Sequence, residues 1–399
     1  MLSFLNEKKK NCTGCYACYS SCPVDCIEMK KDLEGFWYPS STDKCIHCGM
    51  CERVCPVINN NTNDQGAQKA YAAVTKDKEI WRRSASGGAF SEICKVWDSN
   101  DAIFVGATYD GLDVKHICIE DYHDIETICK SKYVQSEIGN TFIQIKKHLC
   151  EMKNVVFCGT PCQVAGLKNY LNQNFDNLLT IDLICHGVGA PNVFKECCNV
   201  IGEDLDKEIV SYEFRAKRKI YDVDYMQKII TKQGEEIYLL DDPYIQLFLS
   251  QNCTRPSCGE NCSFRNEKRY GDITIADFKG LTKIFPKLSG TKRNYSTIVS
   301  NTPKGDRVVK ELKKNMRVLE CSIDYIKEYN PLFYRQSDNK RNQDEFIKLF
   351  EQNPQKAINE YTKPLKLQNI SFAHKVYDLL PFTLRHIIIE SIGFIKNEK

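Results

Sequence analysis

The feature that most restricts this chain is a cysteine pattern written twice near its amino end. Cys12, Cys15, Cys18 and Cys22, followed by Pro23, give C-x2-C-x2-C-x3-C-P, and Cys45, Cys48, Cys51 and Cys55, followed by Pro56, repeat it in full. Three thiolates at every third residue wrap a tight loop around one iron-sulfur cubane, while the fourth, displaced by a further turn, reaches the other cluster of a pair. The expected ligand sets are therefore crossed. Cys12, Cys15, Cys18 and Cys55 hold one 4Fe-4S cluster, and Cys45, Cys48, Cys51 and Cys22 hold the other. Structural zinc competes, but it favours two separated cysteine or histidine pairs around one tetrahedral ion. Between the motifs, Ile27-Glu28-Met29 and Gly35-Phe36-Trp37-Tyr38-Pro39 read as short hairpin strands. Cys26 is surplus to the eight ligands and reads as a buried thiol. His47 reads as a solvent-facing loop residue, a hydrogen bond to cluster sulfur being the alternative.

Dense cysteine means disulfides in a secreted protein, and this chain has 22 among 399 residues. Its start, Met1-Leu2-Ser3-Phe4-Leu5, lacks an apolar core followed by a small-residue cleavage site, and no run reaches the ~20 apolar residues of a spanning helix. The expectation is a cytoplasmic protein with no transmembrane segment, in which cysteine serves metal or redox chemistry. Fifty-five basic and 52 acidic side chains give a formal charge of +3, which cluster thiolates draw toward or below zero, so nucleic acid is not an expected partner. With 42% hydrophobic and 27% charged residues the chain reads as globular, with two or three folded units.

Residues 59–68 are polar and turn-forming and mark the exit from the cysteine-rich module. Apolar runs at Ala70–Val74, Ile103–Ala107, Val155–Phe157, Leu178–Ile184 and Ile273–Ile275 then alternate with helical stretches such as Thr141–Met152 and Gln163–Leu171. That alternation predicts an α/β body with a mainly parallel sheet. Val155–Phe157 runs into Cys158-Gly159-Thr160-Pro161-Cys162, which puts Cys162 at a helix start, where the dipole and free amides favour a thiolate. Cys185-His186-Gly187 follows the next strand at its carboxyl end, where α/β sheets place their ligands. Cys253, Cys258 and Cys262 lie in a turn-rich stretch before Asp272–Ile275. From the residues alone these cysteines are either a third cluster or small core thiols, and Cys94, Cys118, Cys129, Cys150, Cys197, Cys198 and Cys321 read as the latter. Ser84-Ala85-Ser86-Gly87-Gly88 opens a helix; it suits a phosphate or a flavin edge, with a plain capped helix as the simpler reading. Beyond residue 310, Phe346–Glu351 and Phe372–Ile395 are amphipathic, the latter interrupted by Pro381 and apolar enough to need a partner surface.

Together these residues resemble the beta-subunit family of coenzyme F420 hydrogenases and dehydrogenases, in the version with a fused two-cluster ferredoxin domain. The resemblance spans roughly residues 10 to 310. It rests on the double cysteine motif, Ser84–Gly88, Ser131-Lys132-Tyr133-Val134-Gln135-Ser136, Gly159-Thr160-Pro161-Cys162-Gln163, Asp182-Leu183-Ile184-Cys185-His186-Gly187, Arg255-Pro256-Ser257-Cys258 and Gly271–Phe278. It implies a bacterial-type ferredoxin domain at residues 1–60, of α+β type, and a flavin and iron-sulfur domain at 69–310, while the amphipathic stretches beyond the resemblance read as a helical extension at 311–399. It further implies a third 4Fe-4S cluster on Cys162, Cys185, Cys258 and Cys262. Three residues separate Cys258 from Cys262 where the family pattern has two, which keeps Cys253 as a reserve ligand.

The same resemblance implies FAD. Its contacts come from Ser84, Ser86, Gly87 and Gly88, from Lys132, Tyr133 and Gln135, and from Thr160 and Pro161. Lys132, facing phosphate or reduced flavin, and His186, donating a proton or simply supporting the cluster loop, are the catalytic candidates. The function expected is an oxidoreductase that passes electrons between clusters and FAD, to or from a hydride acceptor or donor. The alternative is an electron-transfer subunit docked on a separate catalytic protein. Expected partners are a redox protein such as ferredoxin or a catalytic subunit, a small-molecule substrate, and a second copy of the chain.

Overall fold

The repeat in sequence becomes a repeat in space. In a computed structural model, which describes residues 11–60, 67–98, 102–217, 226–259, 262–289, 291, 293–334 and 342–367, each cysteine loop ends in a single helical turn. These are α1 (Ala17–Ser20) and α2 (Met50–Arg53), each entered through a left-handed residue, Tyr16 or Gly49. Between them β1 (Ile27–Lys31) and β2 (Trp37–Ser41) pair antiparallel as the expected hairpin, with Lys31 opposite Trp37.

The body follows with β3 (Lys69–Thr75), α3 (Ala89–Trp97), β4 (Ile103–Asp110), β5 (Asp113–Ile119), α4 (Thr141–Cys150), β6 (Val155–Cys158), α5 (Pro161–Leu171) and β7 (Leu178–Leu183). Next come α6 (Pro191–Leu205), β8 (Ile209–Ala216), β9 (Met226–Thr231), β10 (Glu236–Asp241) and α7 (Pro243–Leu249). The chain closes with β11 (Ile273–Asp277), β12 (Ser296–Ser300), α8 (Pro303–Leu312), β13 (Met316–Cys321) and the short β14 (Lys366–Leu367). Eight strands form one sheet in the order β13-β3-β12-β11-β7-β6-β4-β5. Parallel pairing joins β4, β6, β7 and β11, so their carboxyl ends share one edge, while the flanking pairs are antiparallel.

The near-continuous apolar runs of the central strands reflect burial on both faces. Phe104, Val156 and Leu179 face one core with Ala89 and Ile93 of α3 and Val308 and Leu312 of α8. Ile103, Val105, Val155 and Phe157 face another with Phe142 and Leu149 of α4 and Val164 and Leu167 of α5. The protein is thus of the α/β class, with parallel order in the centre of the sheet. A second, antiparallel sheet in the order β14-β10-β9-β8 was not legible in the sequence. It packs with α6 and α7 around Phe194, Tyr212, Phe214, Tyr244 and Phe248. Residues past 310 are built into both sheets, since β13 pairs with β3 and β14 with β10. Helices Gln343–Gln352 and Pro354–Tyr361 lie between them in sequence. The stretch Phe372–Ile395 with Pro381 lies outside the described residues, as do residues 61–66 of the expected linker.

Candidate functional site

The eight amino-terminal cysteines line two concavities, and the membership is crossed. One, of about 380 Å³, is lined by Cys12, Cys15, Cys18 and Cys55, together with Cys51. The other, of about 390 Å³, is lined by Cys22, Cys45, Cys48 and Cys51, together with Cys26. Cys26 is buried, and its Sγ stands 3.4 Å from Cys22 Sγ. His47 is exposed, at φ 54°, and its main-chain N–H, donating to the Cys45 sulfur, helps hold that thiol below its ordinary pKa.

In the first set burial pushes Cys15 up to about 12, with the charges of Cys55 and Cys12 adding to the effect. Cys18 is likewise raised, by burial and then by Cys15 and Cys12. Buried thiols that raise one another in this way ionise together only with positive charge among them, which the iron of a cluster supplies. Among the described residues no three His, Cys, Asp or Glu side chains close around a point fit for a single ion.

The body brings four more cysteines together from remote segments. Burial first, then the charges of Cys185, Cys258 and Cys262, raise the Cys162 thiol. Burial takes Cys185 to about 12, with Cys258 adding. The helix start does not by itself leave Cys162 ionised, because burial and three neighbouring sulfurs outweigh the dipole. Cys162 is the second residue of α5, where Gln163 Oε1 accepts the Thr160 N–H at 2.9 Å and the Thr160 hydroxyl meets Cys162 Sγ at 3.1 Å. Cys185 leaves the carboxyl end of β7. Arg255 N–H donates to Val188 O at 2.9 Å and lays the Cys258 segment along the residues that follow Cys185. The Arg265 side chain then donates to Cys185 O at 3.1 Å and to the carbonyl of His186.

A buried carboxylate anchors the segment that follows Cys262. Asp182 of β7 accepts from Tyr270 N at 3.1 Å, Gly271 N at 3.0 Å, Arg269 Nη2 at 3.2 Å and Thr274 Oγ1 at 2.5 Å. Asp272 accepts from the Thr180 N–H and hydroxyl, at 2.9 and 2.8 Å. Cys253 does not join the quartet. It is buried in the aromatic core beside Ala190 and Cys197, and its carbonyl accepts the Ala190 N–H at 2.8 Å.

The flavin candidates separate into two groups. Gly87 donates its N–H to Ser296 Oγ at 2.9 Å, and a Cβ there would stand 2.3 Å from Ala73 O. Ser86 Oγ donates to Tyr295 O at 2.8 Å, and Ser84 Oγ to Ile80 O at 2.6 Å. Gly88, at φ 91°, enters α3 with a Cβ position 2.8 Å from Thr75 Cγ2. The glycine pair is thus required by packing against β3 and β12. Tyr133 stacks on Phe248 with centroids 5.1 Å apart, and the Gln135 amide is spent on the ferredoxin-like loop, donating to Thr13 O at 3.1 Å. His186 meets Phe248 O at 3.2 Å and tilts against its ring, so its observed contacts are those of a loop support.

Lys132 differs. Its Nζ donates to Cys129 O at 2.5 Å, and burial pushes its pKa down to about 8, opposed in part by Cys129 and Cys158. A half-buried ammonium whose hydrogen-bond partner is a carbonyl is a marked candidate for holding an anion. Cys158 lies on this side, at the end of β6. Arg265 and Arg269 carried no motif signal, and Asp182, though it opens the motif running to Gly187, gave no sign of its supporting role, because their partners lie about 80 residues away in sequence.

Comparison with known proteins follows this geometry. A sequence model of the carboxyl terminus of the coenzyme F420 hydrogenase/dehydrogenase beta subunit matches residues 152–325, and one of the 4Fe-4S dicluster domain matches residues 11–59. One of the subunits of the F(420)H(2) dehydrogenase of Methanosarcina mazei is 25% identical over 244 residues, covering 56% of this chain and 65% of its own length. A 7Fe ferredoxin of Hydrogenibacillus schlegelii is 33% identical over 67 residues, 17% of this chain and 81% of the ferredoxin. A chain of the F420-reducing NiFe hydrogenase complex of Methanosarcina barkeri superposes with a TM-score of 0.44 at 13% identity, covering 71% of this chain and 92% of that one. No helix among the described residues is long and apolar enough to cross a membrane. With a 4Fe-4S dicluster domain preceding the matched carboxyl-terminal region, the chain is an iron-sulfur electron-transfer protein related to the coenzyme F420 hydrogenase/dehydrogenase beta subunits.

Proposed function

We propose that this chain is an iron-sulfur flavoprotein oxidoreductase that links a one-electron protein partner to a two-electron hydride donor or acceptor. The observation that carries the reading is the convergence of Cys162, Cys185, Cys258 and Cys262, beside a dicluster module, at the carboxyl edge of the parallel strands. These four residues hold a third 4Fe-4S cluster, after Cys12, Cys15, Cys18 and Cys55 for one and Cys22, Cys45, Cys48 and Cys51 for another. FAD occupies the side of the sheet edge where Lys132 lies. Clusters exchange single electrons and a flavin exchanges one or two, so bound together they connect the two kinds of partner. Lys132 contributes a fixed cation for an anionic flavin or substrate group. Residues 1–60 form the electron port and 69–310 the flavin body, and the partner is a ferredoxin or a catalytic subunit.

A relay without flavin is the second reading. The internal use of Ser86 Oγ and the Gly87 N–H favours it, since those groups were the proposed flavin contacts. Anaerobic purification separates the two. The flavoprotein reading expects about twelve iron and twelve sulfide per chain and flavin absorbance, and loss of about four iron in Cys162→Ser or Cys185→Ser. Full iron without flavin establishes the relay, and about eight iron unchanged in both variants returns the body cysteines to the core.

A further inference from the structure

We propose that Arg255 is both the mechanical tie and the fixed positive charge between the cluster of Cys12, Cys15, Cys18 and Cys55 and that of Cys162, Cys185, Cys258 and Cys262. The first is then the inner cluster, exchanging electrons directly with the body, and that of Cys22, Cys45, Cys48 and Cys51 is the outer one. The inference rests on the reading that these three sets hold clusters.

Arg255 is fully buried. Its Nε donates to Cys12 O at 2.7 Å, its Nη2 to Trp37 O at 2.9 Å and its Nη1 to Gln135 Oε1 at 2.7 Å, while its plane lies over Tyr38 at 4.1 Å. None of these partners is charged. The Asp32 carboxylate acts on it only through space, as do Cys12 and Cys258; a buried guanidinium with no anion in hydrogen-bond contact is costly, and a cubane ligated by four thiolates carries net negative charge. Two such groups flank this arginine. Cys12 accepts from it through the main chain, and Cys258 follows it by three residues in sequence. Gln135 completes the grip, and a Cβ on Gly14, at φ 65°, would stand 2.6 Å from Gln135 Nε2 and 2.9 Å from Arg255 Nη1. The loop fits against the body because this residue is glycine.

A second contact joins the same two sets. Cys162 and Gly166 are one turn apart on α5, which puts them on one face about 6 Å apart along the axis. A Cβ on Gly166 would stand 2.9 Å from Cys15 Sγ. Cys15 thus lies one helical turn from Cys162, and Cys12 one side chain from the Cys258 segment. The set of Cys22, Cys45, Cys48 and Cys51 faces elsewhere, with Cys48 exposed and Ile46 of its lining 60% exposed. Across the junction one electron leaves the reduced cluster on one side and is taken up by the oxidised cluster on the other, with no bond, proton or leaving group involved.

The test uses the full chain, kept anaerobic. Iron and sulfide are counted first, since a wild-type chain lacking the third cluster fails the parent reading and not the role of Arg255. With full iron, electron paramagnetic resonance during a redox titration should show magnetic interaction between the inner and third clusters, retained when Cys48→Ser removes the outer cluster. Arg255→Gln should lower the reduction equilibrium of the inner cluster about tenfold, ~60 mV for a one-electron couple, and leave the outer one unmoved. Arg255→Lys, which keeps the charge, should stay near wild type, and it alone carries the test if the glutamine variant does not fold. An equal shift in Arg255→Lys, an unchanged inner potential in Arg255→Gln, or interaction that vanishes with the outer cluster overturns the proposal.

Discussion

Lys132 opposes the stability of the fold that holds it. Burial lowers its pKa from 10.5 to about 8, so the folded chain binds this proton less tightly than the unfolded chain does. The stability it permits is present above pH 10.5 and is lost as pH falls through about 8, and at neutral pH the penalty is complete. The gap corresponds to about 3 kcal/mol. Lys132→Met keeps the length and removes the charge, and we expect it to raise unfolding free energy at pH 7 by about 1–2 kcal/mol while flattening the profile between pH 8 and 10.5. Denaturant melts across that range check this; a destabilised variant would mean the ammonium is well satisfied where it lies. The motif around Lys132 was legible in the sequence, but its isolation was not. That follows from the fold placing Cys129 O, and no carboxylate, against its Nζ.

Elements whose chemistry is local were the legible ones. The cysteine repeat, the hairpin of β1 and β2 and the apolar central strands each announce themselves within a few residues. Strands such as β9, Met-Gln-Lys-Ile-Ile-Thr, mix charge with apolar residues and gain their identity from partners across the sheet. The anchor of β7 is similarly non-local. Asp182 and Arg269 are both buried, 87 residues apart, and together they hold the segment between Cys262 and β11. Such a pair is no proof of net stabilisation, but removing one partner strands the other. Arg269→Met should destabilise the protein by about 3–5 kcal/mol. It should also loosen the Cys262 segment, seen as loss of up to four iron from the body with the amino-terminal clusters retained. Full iron content in this variant would show that Asp182, through the Tyr270 and Gly271 amides, holds the segment unaided.

At the scale of the whole molecule the amino-terminal module is part of the body's core. Tyr16, 2% exposed, packs in the cluster that contains Phe142, Phe157 and Leu167, and its ring meets Trp37 edge-on at 6.4 Å. Asn169 donates to Asn59 O and Asn192 to Leu33 O, both at 2.9 Å, so the seam is held at the hairpin turn and again after the second cysteine motif. The polar composition of residues 59–68 suggested a boundary. It carried no sign of this seam, because the seam depends on Tyr16 and on Gly14 and Gly166 admitting their neighbours. The Tyr16 hydroxyl is buried without a hydrogen-bond partner among the described residues. Removing that oxygen alone should therefore help, and removing the ring should not. We expect Tyr16→Phe to stabilise the chain by about 1 kcal/mol and Tyr16→Ala to cost about 3–5 kcal/mol. Because the ring is shared, the alanine variant should speed hydrogen exchange in α4 and α5 of the body as well as in residues 11–60. Faster exchange confined to the amino-terminal residues would instead mark a module that folds and opens by itself, with its clusters held to the body by surface contact alone.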